Sequence, residues 1–197
     1  VIATGGREYR PKSYKYGRNK RGLTQLELEK SLAKGKGVLK NIKNVVMIQC
    51  VGSRGEDMSH CSRLCCTQAI KNALKLKGIK ENIRIYCLYR DMRTYGFSED
   101  LFKEARKKGV IFIRYEPDRR PEVIERDGRI KVRVFDRLLN DEIDIFACLV
   151  VLSVGIAPRG NEDLARVLKS PLTPEGFFLE AHVKLRPVEL ASEGIYL

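Results

Sequence analysis

Between Asn44 and Tyr115 the hydrophobic positions alternate between two periods. Asn44 to Cys50 is an apolar run rich in Val, Met and Ile; Ile83 to Arg90 (IRIYCLYR) and Val110 to Tyr115 are two more. Between them, Cys61 to Leu76 puts Ala69, Ile70, Ala73, Leu74 and Leu76 at helical spacing, and Glu99 to Lys108 is a second helical stretch. Short apolar runs read as buried strands, and the 3.6-residue spacing reads as helices packed on them. A β-α-β-α-β succession predicts a parallel, doubly wound sheet, because right-handed crossovers between parallel strands need a helix.

The rhythm differs on either side. Val1 to Gly6 reads as the end of a strand running into a glycine turn, and the basic, Gly- and Tyr-rich stretch Arg7 to Gly22 as a linker. Leu23 to Ala33 has leucines near helical spacing, with Thr24 and Glu27 forming a capping-box pattern and Lys34-Gly35-Lys36-Gly37 as the stop. Beyond Tyr115, Val123 to Glu125, Arg129 to Phe135 and Glu142 to Phe146 alternate with period two. Asp127-Gly128 and Asn140-Asp141 join them, which predicts an antiparallel meander. Leu149 to Val154 returns as a buried strand, Glu162 to Leu168 as a short helix, and the remainder is irregular. The predicted fold is α/β: a Rossmann-like βαβαβ sheet with an inserted β-meander, similar to the NAD-binding-like domain of two-dinucleotide flavoprotein reductases. Three parts are expected: residues 1–40, the end of an FAD domain and a linker helix; 41–158, the Rossmann-like domain; 159–197, a return segment.

Composition narrows the classes. Apolar residues at 43% and charged residues at 32% describe a folded globular chain. The longest apolar run, Ile143 to Val154, falls far short of the ~20 residues of a membrane span. Neither end resembles a natural terminus, so a piece of a longer polypeptide is expected. The formal net charge is +13, yet the basic residues are spread out, concentrating only in Arg7 to Arg21 and Arg114 to Arg133. No nucleic-acid motif accompanies them, so solvated faces are the plain reading and docking of acidic redox partners or neighbouring domains the functional one. Six cysteines without a secretory signal predict a reducing, cytoplasmic setting, where thiols bind metal or do redox work.

Cys50, Cys61, Cys65 and Cys66 fall within seventeen residues, spaced C-x10-C-x3-C-C, at a strand-to-helix turn. The turn after the first strand of such a sheet is where G-x-G-x-x-G cradles a pyrophosphate; here it reads C-V-G-S-R-G. Structural zinc prefers separated pairs of ligands. A four-iron cluster offers corners in different directions and accommodates vicinal thiolates more readily. Spacing alone leaves the cluster, zinc and buried thiols open. His60 reads as a surface histidine, and Cys87 and Cys148 as small hydrophobes within strands.

The segments CVGSR, CSRLCC, DMRTYG, VVLSVG and GFFLEAHVKLRPV together resemble the A-type, FAD- and iron–sulfur-containing component of heterodisulfide reductase and related flavoprotein subunits of quinone-interacting oxidoreductases. The resemblance implies an oxidoreductase of thioredoxin-reductase-like fold carrying FAD and a [4Fe–4S] cluster. It assigns the cluster to Cys50, Cys61, Cys65 and Cys66. It sets Lys71 beside the flavin ring, Thr4 and Gly5 at a turn packed on FAD, and Lys184 and Arg186 near the flavin. Arg93 and Tyr95 either shape the region between the cofactors or cap a strand. Electron transfer is the implied activity, with flavin-based bifurcation in the family's complexes. Other subunits of such a complex and ferredoxin-like carriers are the implied partners, and a homodimer is a further form to expect. The FAD-binding G-x-G-x-x-G and the AGD-type segment are absent from the sequence. Two further readings stand beside this one: a basic Rossmann-like binding module with a structural metal, and an NAD(P)H-dependent disulfide reductase with Cys65 and Cys66 as its redox pair.

Overall fold

The computed structural model describes residues 1–35, 41–55 and 58–197. Five strands form the parallel sheet: β2 (Gly22–Thr24), β3 (Asn44–Val51), β4 (Arg84–Tyr89), β5 (Val110–Arg114) and β9 (Leu149–Val154), in the order β2-β9-β3-β4-β5. The meander is a separate antiparallel sheet of β6 (Glu122–Arg126), β7 (Arg129–Asp136) and β8 (Asp141–Ala147). A ribbon of β1 (Gly6–Glu8) and β10 (Ile156–Pro158) completes the strands. The helices are α1 (Gln25–Ala33), α2 (Cys65–Ile79), α3 (Ser98–Lys107) and α4 (Glu162–Leu168).

The molecule has three layers because the parallel strands bury both faces. All six residues of β9 are buried, which is why they read as one unbroken apolar run. Met47, Ile85 and Val151 pack on one face against Leu28 of α1 and Ala69, Ile70, Ala73 and Leu76 of α2. Val46, Leu88 and Leu152 pack on the other against Ile130, Val132 and Val134 of the meander. A polar network crosses the helical layer: Gln25 Nε2 donates to Ser153 Oγ (3.1 Å), and Asn72 Nδ2 donates to the Gln25 side-chain carbonyl (2.8 Å). All three residues are buried, so the network ties α1 and α2 to β9 in one arrangement.

The α/β expectation holds, with corrections at its edges. Residues 1–5 are not a strand; the Ile2 N–H bonds to the Tyr196 carbonyl, and pairing begins at Gly6. Leu23 lies in β2, and the helix starts at Gln25, capped by the predicted Thr24–Glu27 box. Lys36-Gly37 of the predicted stop lies outside the described residues. The largest correction concerns Cys61. Arg63 takes a left-handed conformation (φ 60°), which no right-handed helix passes through, so α2 begins only at Cys65.

Candidate functional site

The strand order places the first strand of the βαβαβ unit, β3, next to β9, so β3/β9 is the point where the winding reverses. Open parallel sheets bind ligands outside the carboxyl ends of their strands at that point. The cysteines gather there. Cys50 lies near the end of β3, at a register shift between Ile48 and Val51, and takes a left-handed conformation (φ 59°). A non-glycine residue held there costs on the order of 1–2 kcal/mol, which the surrounding structure offsets. Cys65 and Cys66 open α2. The Cys65 thiol donates to the carbonyl of Val154 at the end of β9 (3.3 Å), and the Cys66 thiol lies 3.8 Å from the Asp91 carbonyl beyond β4. Cys61 is held in the preceding loop and accepts from the Arg63 N–H (3.4 Å).

That loop is pinned at several points. Ile156 N–H donates to Ser62 Oγ (2.7 Å), His60 Nε2 meets the Ile156 carbonyl (3.1 Å), and the His60 ring sits edge-on to Phe177. His60 is thereby a loop clamp, half-buried and turned to the backbone.

Burial pushes the Cys65 thiol up to about 12, and the neighbouring thiols Cys66, Cys61 and Cys50 add to the effect. Burial likewise raises Cys50 and Cys66, against the pull of Arg54 and Arg90 on the first and the Arg93 backbone on the second. All six cysteines are free. Cys50, Cys65 and Cys66 are thus desolvated, and the Cys61 thiol stands close enough to add to the effect on them, so charging any of these three requires positive charge in their midst. Among the described residues no three His, Cys, Asp or Glu side chains converge tightly enough to hold a single metal ion. The donor set is four soft thiols in mutual electrostatic range, the ligand type of soft metal centres, zinc and iron–sulfur groups alike. No side chain caps α2, and its first turn carries no acidic residue, so the unpaired N–H groups there remain available to an anion.

Three arginines frame the thiols, and the sequence pattern singled out only Arg93. Arg54 pairs with Asp91 (2.7 Å), and Arg90 donates to the Arg54 carbonyl (2.8 Å). Arg54 and Arg90 follow closely on the ends of β3 and β4, a position that could have flagged them. Tyr95 is exposed.

A groove of about 460 Å³ runs from Cys65 past Gln68 to Lys71, walled by Leu26 and Glu29 of α1 and by β1. Lys71 therefore shares a cavity with a cysteine. Thr4 lies elsewhere, in a hollow beside Leu164 and Leu168 of α4. Lys184 and Arg186 occupy an exposed turn around His182, where Arg186 pairs with Glu189. None of these three lines the groove. Cys148 sits at the opposite, amino-terminal edge of the sheet; the Lys43 and Asn44 N–H groups and Arg21 hold its thiol below the usual range, against the opposing effect of burial. Cys87 is fully enclosed in β4.

The fold is that of the thioredoxin-reductase-like flavoprotein reductases. The chain superposes on Lactococcus lactis thioredoxin reductase with a TM-score of 0.59 at 16% identity, covering 98% of this chain and 54% of that one. On T. acidophilum thioredoxin reductase the score is 0.53 at 15% identity, covering 98% and 53%. In sequence the chain is similar to the A-type components of heterodisulfide reductases, as its motifs implied. It is 38% identical over 216 residues to the A component of the H(2):CoB-CoM heterodisulfide,ferredoxin reductase of Methanothermobacter marburgensis, covering 100% of this chain and 32% of that protein. It is 43% identical over 164 residues to the A-type iron-sulfur component of the CoB--CoM heterodisulfide reductase of Methanocaldococcus jannaschii, covering 79% and 24%. The chain thus spans about a third of the length of the curated relatives that it matches in full. No model of a known protein family matches it.

Proposed function

We propose that this chain is the electron-transfer segment of a flavin-linked oxidoreductase of the heterodisulfide reductase A type, with a [4Fe–4S] cluster on Cys50, Cys61, Cys65 and Cys66. The observation that carries it is the gathering of four thiols, three of them desolvated, at the sheet's switch point, where a dinucleotide would otherwise bind. When bound, the cluster supplies one-electron transfer between a flavin and iron–sulfur carriers. The residues of this chain do the rest. The four thiols give up their protons to bind, the open N–H groups of α2 face the resulting negative charge, and Arg54, Arg90 and Arg93 offset it.

Lys71 provides a fixed ammonium in the groove that leads away from Cys65, where it favours a negatively charged flavin ring. Thr4, Gly5, Lys184 and Arg186 belong to the surface that meets FAD in the whole protein; because they stand on other elements than the groove, they suit contacts with other parts of that cofactor. Residues 1–40 and 159–197 are then the flavin-side portions and 41–158 the cluster domain. The partners are the other subunits of a heterodisulfide reductase-like complex and ferredoxin-like carriers, in the cytoplasm. Among the described residues no helix is long and apolar enough to cross a membrane.

The test is anaerobic purification with iron and sulfide analysis and EPR after dithionite reduction. About four irons per chain and a reduced-cluster signal are expected, both lost in Cys61→Ser and Cys65→Ser. One zinc per chain with no signal refutes the reading.

A further inference from the structure

The two stretches that concentrate basic residues, Arg7 to Arg21 and Arg114 to Arg133, meet in the folded chain at the amino-terminal edge of the parallel sheet. Arg21 Nη1 donates to the Gly128 carbonyl (2.9 Å), and Asn19 Nδ2 donates to the Glu125 carboxylate (2.7 Å). Beside this junction lies a groove of about 880 Å³. Lys20 and Arg21 line it from the segment that enters β2, Lys43 from just before β3, and Arg129 from the start of β7. Between these cations the lining is apolar, with Leu23, Ile42, Ile130 and Leu149. Phe146 lines it too and is 59% exposed, because the alternation of β8 turns Ile145 and Ala147 inward and leaves the ring outside. Farther along the meander, Asp144 neutralises Lys131 (2.7 Å) and Arg133 (2.9 Å). At the groove this stops: among the described residues none of its four cations is in an ion pair and no carboxylate lines it. Lys36-Gly37-Val38-Leu39-Lys40, which precede Asn41 and lie outside the described residues, contain no Asp or Glu either.

We infer that this groove docks an acidic peptide segment of a partner protein, one that carries apolar side chains between its carboxylates. Unpaired cations around a hollow select negative charge and speed the encounter with it. Three separate pieces of chain supply them, so the positive charge is spread around an apolar centre. Several carboxylates borne on one segment match that spread, and a lone phosphate does not. The apolar centre supplies the other half of the fit. An aromatic ring such as Phe146, beside a hydrophobic hollow with a charged rim, is the kind of anchor that protein interfaces bury at their middle. Single-stranded nucleic acid fits less well, because its grooves stack successive bases on several rings and Phe146 is the one aromatic residue among the described lining. The groove lies at the opposite end of the sheet from the cysteines of the β3/β9 turn. Nothing in it needs a cluster or a flavin, so it stands or falls separately from them.

Calorimetric titration of the full chain with a short synthetic peptide, Asp and Glu flanking a central leucine–phenylalanine pair, tests it. The peptide binds, and its affinity falls as salt is raised. Lys43→Gln and Arg129→Gln, both at exposed positions, each weaken it by about 2- to 5-fold. Phe146→Ser weakens it by about 10-fold. Lys107→Gln, exposed on α3, leaves the affinity unchanged. Cys148 lines the groove, so bound peptide also slows its alkylation by iodoacetamide, read by mass spectrometry of the fragment that contains it. No binding at millimolar peptide overturns the inference. Equal weakening by Lys107→Gln, or unchanged alkylation of Cys148 with peptide bound, overturns it too, since general attraction to a chain of net charge +13 would explain either result. Equal affinity for a peptide with serines at the central pair overturns the apolar anchor, and tighter binding of a DNA oligonucleotide of the same charge overturns the peptide class.

Discussion

Gly52 is the residue at which the loop after β3 passes closest to the ring of Tyr9. Its φ is 68°, and a Cβ added there would stand 2.2 Å from two ring atoms of Tyr9. Gly52→Ala therefore carries two separable costs. The left-handed backbone costs an alanine on the order of 1–2 kcal/mol. To restore ordinary contact near 3.4 Å the tyrosine ring must retreat by about 1.2 Å, the difference between that distance and 2.2 Å. The Tyr9 backbone is tied to the Gly155 carbonyl (2.8 Å) next to the β1–β10 ribbon, so the ring has to move by turning about its own side-chain torsions. Overpacking of that kind costs about 1–3 kcal/mol, so the substitution destabilises by roughly 2–5 kcal/mol in all. Urea denaturation of wild type, Gly52→Ala, Tyr9→Ala and the double variant measures both parts. The double variant recovers the steric cost, about 1–3 kcal/mol of coupling, and keeps the backbone cost. A neutral Gly52→Ala, or strict additivity in the cycle, refutes the packing described here.

Other outcomes follow from the same geometry. Asn72→Ala leaves the Gln25 side-chain carbonyl without its donor in a buried site and destabilises by about 1–3 kcal/mol, measured by denaturant unfolding; a loss under ~0.5 kcal/mol contradicts the network. Asp144 accepts from Arg133 (2.9 Å) and Lys131 (2.7 Å), and these hydrogen bonds hold its carboxyl down at about 2. A depressed folded value stabilises above the ordinary carboxylate range and the benefit disappears as pH falls from ~4 to ~2, so the Tm gap between wild type and Asp144→Asn closes over that window. A gap constant with pH points elsewhere. In the full-length protein, Lys71→Ala lowers the potential of the bound flavin, read by spectroelectrochemistry; an unchanged potential removes Lys71 from the flavin site.

The core and the order of its layers were legible in the sequence, because period-two and period-3.6 patterns are local and β9 announced its double burial by being apolar throughout. The Thr24–Glu27 cap was equally local. The motifs named the four cysteines and Lys71, and the folded chain places Cys65 and Lys71 along one groove. What the pattern could not carry was anything set by long-range pairing. Strands β1 and β2 are three residues each, and their partners Ile156–Pro158 and Val150–Leu152 lie more than 100 residues away, so no periodicity marks them. The start of α2 turned on the backbone at Arg63, where a left-handed residue separates Cys61 from the helix. The stretch from Arg7 to Gly22 read as a linker, and only folding brings its Lys12 and Tyr14 over Cys50 beside Arg90 and Arg120. The sequence by itself determined which residues are buried and which chemistry is present. Which of those groups face one another was decided by tertiary structure, since a cavity wall is assembled from strand ends whose spacing in the chain bears no relation to their spacing in space.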